Sequence, residues 1–146
     1  MSLHRVLPVG ALLILTFASF LAIPSHAREE SDEIKELVEH HIASNKIAMF
    51  SKSYCPFCAR AKRMAVDELG VKPGVIELDL RPKGDGPPIQ RQVGKMIKSD
   101  RLLPTVPQIW VNGEYIGGSD DLRKAIDSGK VTKETVAAGP TSQEEL

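Results

Sequence analysis

The stretch Ile47-Ala-Met-Phe-Ser-Lys-Ser-Tyr-Cys-Pro-Phe-Cys58 decides how this chain folds. It opens on the short apolar run Ile47 to Phe50 and breaks into polar residues, the pattern of a buried strand running out into a loop. From Phe57 the apolar positions are 57, 58, 61, 64, 65 and 69, a helical spacing, and Gly70 stands where a helix C-cap belongs. Cys55 and Cys58, the only two cysteines among 146 residues, therefore lie at the junction of a strand and a helix.

Working outward, Ser31, Ile34, Leu37, Val38, His41 and Ile42 predict a first helix over 31–44, with Ser31 as N-cap and acids in the first turn. Residues 75–80, VIELDL, read as a second strand, and RPKGDGPP is the loop after it. A third helix is marked by Ile89, Val93, Met96 and Ile97. Pro107 opens the run QIWV, Asn112-Gly113 is a hairpin signal, and Tyr115-Ile116 begins the return strand. Ser119 or Asp120 then caps a last helix whose Leu122, Ala125 and Ile126 face inward. Residues 131–146 are polar and expected to form a flexible tail. The order αβαβαββα predicts an α/β fold, a central mixed sheet with helices on both faces.

Residues 1–27 carry one firm positive charge at Arg5, an uncharged apolar run from Val6 to Ile23, and small Ser25 and Ala27 at the cleavage positions. That is the layout of a signal peptide cut after Ala27. The rival is an uncleaved signal anchor, since a span needs roughly 17 to 25 residues. Only this segment would bring the chain to a membrane. The acidic residues that follow, REESDE, argue against an organelle transit peptide. Lys and Arg number 19 and Asp and Glu 19, so nothing draws the chain to nucleic acid. The remaining length, residues 28–130 with the tail, suits one domain.

Two cysteines three positions apart make a poor staple, because closing so short a loop removes little chain entropy. A zinc site is the other possibility, but beyond the cysteines only the adjacent pair His40-His41 is on offer, without the usual ligand spacing, so no metal is expected. Cys-x-x-Cys between a strand and a helix is the thioredoxin-like redox arrangement. A helix N-terminus favours a thiolate through unpaired N–H groups and the dipole, and Cys55 falls at that end. Pro56 fits the first helical position. Lys52 can add positive charge, and Cys58 lies one turn further in on the apolar stripe. Cys55 is accordingly the expected nucleophile and Cys58 the resolving thiol.

With KSYCPFC, TVPQIWVNG and GGSDDL in that order, the chain resembles a glutaredoxin of the dithiol Cys-Pro-aromatic-Cys type over roughly residues 31–130. The resemblance implies a thioredoxin-like fold with a four-stranded mixed sheet and a glutathione-dependent thiol–disulfide oxidoreductase. It further implies a cis bond before Pro107, with Thr105, Val106 and Pro107 facing the active site and the Val106 backbone pairing with the peptide of glutathione. Gly117 and Gly118 would admit the glutathione backbone. Ser119 and Asp120 would hold its γ-glutamyl end, the N–H groups taking the carboxylate and Asp120 the ammonium. Lys52 would meet the glycine carboxylate. A third-helix residue, one of Gln90, Arg91 and Gln92, would join it, in an uncertain register because GDGPP and Leu102-Leu103-Pro104 look like extra residues.

Glutathione is thus the expected co-substrate, and glutathionylated or disulfide-containing proteins the expected partners, for a monomeric enzyme. The alternative is a binding module in which Cys55 from two subunits and two glutathiones hold a [2Fe–2S] cluster, against which Pro56 should stiffen the loop. The last residues, Gln143-Glu-Glu-Leu146, resemble a degenerate retrieval signal. With the leader, this predicts the secretory pathway, in the lumen of the endoplasmic reticulum or Golgi, or secretion.

Overall fold

The computed structural model describes residues 25–139, so all but the end of the predicted leader and the whole QEEL tail lie outside the described residues. Its elements are α1 (Ser25–Ser44), β1 (Ile47–Ser51), α2 (Pro56–Arg63), β2 (Gly74–Glu77), α3 (Gly86–Met96), β3 (Gln108–Val111), β4 (Glu114–Gly117), α4 (Ser119–Asp127) and α5 (Lys133–Ala138). The strands form one four-stranded sheet in the order β2-β1-β3-β4. β1 and β2 are parallel, while β3 runs antiparallel to both β1 and β4. This is the expected thioredoxin-like arrangement of a mixed sheet between two layers of helices.

β1 is buried along its whole length, which is why its sequence is a continuous apolar run and not an alternating one. Its side chains still divide by parity. Ile47 and Met49 join Ile109 and Val111 under Ala61, Ala65, Leu122 and Ala125 of the α2 and α4 layer. Ala48 and Phe50 join Trp110 against Ile34, Val38 and Ile42 of α1 and Ile89 and Val93 of α3. Phe50 meets the Trp110 ring edge-on at 5.5 Å and the His41 ring at 5.2 Å. The sheet thus carries two cores, and β1 feeds both.

α2 passes into a π-helical turn, Met64–Glu68, and ends as expected at Gly70, whose φ of 69° lets the Val71 N–H reach the Ala65 carbonyl at 2.9 Å. The hairpin also follows its signal, with φ of 49° at Asn112 and 82° at Gly113, the two positive values of a tight turn.

Five expectations are corrected. Ser31 lies inside α1, six residues past its start, and is not its cap. The second strand stops at Glu77, and Leu78–Leu80 turn into a 3₁₀ segment that brings the Asp79 carboxylate to Ser53. The loop after it is shorter than its Gly and Pro content suggests. Pro87 and Pro88 sit in the first turn of α3, where missing N–H groups cost nothing. Neither Ser119 nor Asp120 caps α4; Gly118 holds that position, with Asp121 accepting its N–H at 3.1 Å. Finally, the tail expected to be flexible from residue 131 is ordered through α5. Val131 and Val136 are buried in the core on the α4 side, so the domain extends past the predicted limit of 130. Thr132 caps α5 by accepting the Thr135 N–H at 3.2 Å, and the Asn112 side chain donates to the Thr135 carbonyl at 2.7 Å.

Among the described residues no helix is long and apolar enough to cross a membrane. The apolar run on which the signal-anchor reading rests, Val6 to Ile23, lies outside them.

Candidate active site

β1 delivers the chain at Ser51 into a turn closed by the Cys55 N–H on the Lys52 carbonyl at 3.1 Å. Cys55 is the N-cap residue of α2, extended at φ −83° and ψ 118°, and its carbonyl accepts the first helical bond from Ala59 at 3.1 Å. Pro56 takes the first helical position as predicted. No side chain caps this helix, so its first-turn N–H groups have no side-chain acceptor beside the Cys55 sulfur.

Both cysteines are free thiols, and their environments differ. Cys55 is partly exposed and donates from Sγ to the Val106 carbonyl oxygen at 3.7 Å. Cys58 is fully buried on the inner side of α2. Burial pushes the Cys58 thiol above the usual cysteine range, against smaller downward pulls from the Lys52 backbone and the Ser51 hydroxyl; the neighbouring Cys55 raises it further.

The Val106–Pro107 bond is cis, as the resemblance implies. Pro107 is buried next to β3, and the Thr105 carbonyl accepts the Gln108 side chain at 2.5 Å. Gln90 is also buried, donating Nε2 to the Pro104 carbonyl at 2.5 Å, which ties α3 to the segment before Thr105. Arg91 and Gln92 line a cleft with Glu30, Ser31 and Ile34 of α1, on the side of the sheet away from α2. Of the three third-helix candidates, Gln90 alone adjoins the Thr105 segment.

Gly117 ends β4 and Gly118 follows it, next to Pro107. Gly117 has φ 118°, and a Cβ there would stand 2.5 Å from Asp121 Oδ2, so no other residue fits without moving the cap. At Gly118 a Cβ would stand 3.8 Å from the Pro107 carbonyl oxygen. That is an ordinary contact distance, so Gly118 lies beside the cis-proline turn without the steric demand that Gly117 faces from Asp121.

Two contributors were not legible as site residues. Asp79 accepts the Ser53 N–H at 2.9 Å and also its hydroxyl, which fixes the loop carrying Lys52 and Cys55. These bonds, hydroxyl first, hold its carboxyl below the usual carboxylate range, with a smaller contribution from the Lys52 charge. Arg60 donates from Nε to Ser119 Oγ at 2.8 Å and pairs through Nη2 with Asp120. Its guanidinium also lies 5.4 Å from the centre of the Phe57 ring. The available signals were VIELDL read as strand and Arg60 as a polar position of an amphipathic helix, and neither pattern names a partner.

The structure therefore gathers Cys55, Cys58 and Lys52 at the end of β1, Val106 against the Cys55 sulfur, Gly118 beside Pro107, and Ser119 with Asp120 against α2 through Arg60. Thr105 stands next to this group through its backbone. A thioredoxin-like sheet with a partly exposed thiol at an uncapped helix N-terminus and a second thiol behind it defines a thiol–disulfide oxidoreductase.

Comparison with known proteins narrows the class. The glutaredoxin family model matches residues 47–116. Glutaredoxin-C4 of Arabidopsis thaliana is 38% identical over 122 residues, 84% of each chain. Glutaredoxin-1 of Rhizophagus irregularis is 41% identical over 101 residues, covering 69% of this chain and 93% of that one. Among solved structures, a buckwheat glutaredoxin–glutathione complex superposes with a TM-score of 0.63 at 29% identity, over 75% of this chain and 93% of that one. The chain belongs to the glutaredoxin family and is an oxidoreductase.

Proposed function

We propose that this enzyme reduces glutathione mixed disulfides and protein disulfides, with Cys55 as nucleophile and Cys58 as resolving thiol. The observation that carries this reading is the asymmetry of the pair: Cys55 partly exposed at the uncapped start of α2, Cys58 fully buried behind it. The Cys55 thiolate attacks the glutathione sulfur of a mixed disulfide, and the substrate sulfur leaves and takes up a proton. A second glutathione thiolate then attacks the glutathione sulfur bound to Cys55, releasing glutathione disulfide and restoring the Cys55 thiolate. With a protein disulfide, Cys58 displaces the substrate from Cys55, and two glutathiones reduce the resulting Cys55–Cys58 bond.

Glutathione would lie along the Val106 backbone, with its glycine carboxylate toward Lys52 and its γ-glutamyl end at Gly118, Ser119 and Asp120. The buckwheat relative, solved as a complex with glutathione, supports this choice of co-substrate. In the test, Cys55→Ser abolishes deglutathionylation of a mixed-disulfide substrate, whereas Cys58→Ser retains most of it. Comparable loss in both variants refutes the division of roles. The cluster reading would need two copies, since Cys58 is buried and each chain offers one partly exposed sulfur. A protein that purifies colourless under anaerobic conditions with glutathione and is active excludes it.

The secretory address is also a proposal, resting on the layout of residues 1–27 and on Gln143-Glu-Glu-Leu146. Deleting those four residues should increase secretion of the full chain, and unchanged secretion removes the retrieval signal.

A further inference from the structure

Two adjacent leucines stand out in water on the segment that leads into the cis-proline turn. Leu102 is 76% exposed and Leu103 42%, and Leu103 is three residues before Val106, whose carbonyl oxygen accepts the Cys55 thiol at 3.7 Å. Three residues of chain span about 10 Å at most, so the pair borders the reacting sulfur. We propose that Leu102 and Leu103, with Lys98 and Arg101, form a docking surface for the polypeptide around a substrate's disulfide, selecting acidic segments that carry apolar side chains. The surface rests on the reading that protein disulfides are substrates, and it gives that site its class of partner.

The leucines are held outward by bonds on either side. Gln90, buried in α3, donates to the Pro104 carbonyl at 2.5 Å, and Pro104 packs on α3 at Gly94, where a Cβ would stand 3.1 Å from its Cδ. Before them, the Ser99 N–H bonds the Gly94 carbonyl at 2.9 Å, and Ser99 Oγ accepts the Arg101 N–H at 3.1 Å. With residues 99, 101 and 104 tied down, Leu102 and Leu103 face solvent. Tyr54, immediately before Cys55, is 72% exposed, so both segments that meet at the sulfur carry open apolar side chains. Covering them is favourable, and only a partner can do it.

Charge decides what that partner carries. Lys95, Lys98 and Arg101 are exposed and have no ion-pair partner among the described residues, and Asp100 is the one acid between Lys95 and Arg101. The whole chain balances 19 basic against 19 acidic residues, so this excess is local. A segment bearing carboxylates finds counter-charges here, a basic one is repelled, and the leucines take up apolar side chains. An anionic bilayer would feel the same two attractions. The patch, however, runs into the segment that touches Cys55, where a protein disulfide must lie to be attacked and a bilayer has no need to be.

The test compares kcat/KM of the full chain on two glutathionylated peptides of equal length, one with Glu and Leu around its cysteine and one with Lys and Ser. The glutathione mixed disulfide of 2-mercaptoethanol, which has no polypeptide to dock, is the reference. The native chain should favour the Glu/Leu peptide about ten-fold at low salt, and less in about 0.5 M salt, where exposed charges are screened. Leu102→Ser with Leu103→Ser should remove most of that preference by raising KM. Arg101→Glu with Lys98→Asn should reduce it and abolish its salt dependence; asparagine tolerates the left-handed backbone of Lys98, at φ 52°. Both variants should turn over the small disulfide at the native rate. Equal kcat/KM for the two peptides, or a preference untouched by either pair of substitutions in folded protein, overturns the docking surface and leaves the reductase reading standing. A native chain inactive on all three substrates overturns that reading instead. Leucine-dependent sedimentation with phosphatidylserine vesicles, or leucine-dependent dimerisation in sedimentation velocity, without any peptide preference, assigns the patch to a bilayer or a second copy and equally overturns it.

Discussion

At the scale of single residues, reactivity follows from how far each sulfur is removed from water. Burial raises the Cys58 thiol, so it stays protonated at neutral pH, while the partly exposed Cys55 is open to reagents. Native reduced protein treated briefly with iodoacetamide near neutral pH should therefore carry one adduct, at Cys55, by peptide mass spectrometry. Unfolded protein should carry two. Equal labelling of both cysteines in the native state would contradict the burial difference. His41 provides the corresponding pH dependence of stability. Burial against Phe50 holds it below its ordinary value of 6.5, so the folded state prefers the neutral ring. Its contribution is present above the unfolded value and is lost as the pH falls from about 6.5 through the lowered folded value. Urea midpoints measured from pH 8 down to 5 should decline in that window, and less steeply for His41→Leu. The position of the cysteine pair, at a strand end and a helix start, was readable from KSYCPFC because strand, proline and helix spacing are all local. Arg60 and Asp79 were not. Arg60 and Asp120 are 60 positions apart, and nothing in either neighbourhood records that α2 and the start of α4 will meet.

Among the elements, those whose signals are local appear where expected, and those that answer to a distant partner do not. Gly70 and Asn112-Gly113 terminate and turn the chain by their own backbone preferences. β2 stops short because Asp79 is drawn to Ser53, 26 positions earlier, whereas the α4 cap is local, Asp121 turning back three positions to Gly118, and it falls one residue before the expected Ser119. Gly117 carries two local constraints at once, a φ of 118° and the close approach of Asp121. Gly117→Ala should cost about 1 to 3 kcal/mol through the strained conformation alone. The expected readout is a lower urea midpoint together with a raised KM for the glutathione mixed disulfide, since the shifted cap carries Ser119 and Asp120. A variant as stable as the native chain would mean that the α4 start is not constrained in this way.

Over the whole molecule, the C-terminal helix shows how far the core reaches. Val131 and Val136 are buried with Ile47, Leu122 and Ala125, and a chain ending at residue 130 would lose both. Roughly 1.5 to 3 kcal/mol for burying each such side chain gives about 3 to 6 kcal/mol as an upper figure for the loss. Comparing urea unfolding of chains ending at 130 and at 139 checks this, and equal midpoints would restore the reading of a frayed tail. By itself the sequence determined the α/β class, the place of the cysteine pair at a helix start, the turn at Asn112-Gly113 and the order of most elements. Apolar periodicity, proline geometry and glycine conformation act over a few residues and are legible without a partner. Only the tertiary structure decided that α5 belongs to the core, that Asp79 holds the Cys55 loop and that Arg60 stands between Ser119 and Asp120. Each of these depends on which surfaces the sheet brings together, and two isolated valines or a solvated-looking arginine carry no local mark of that.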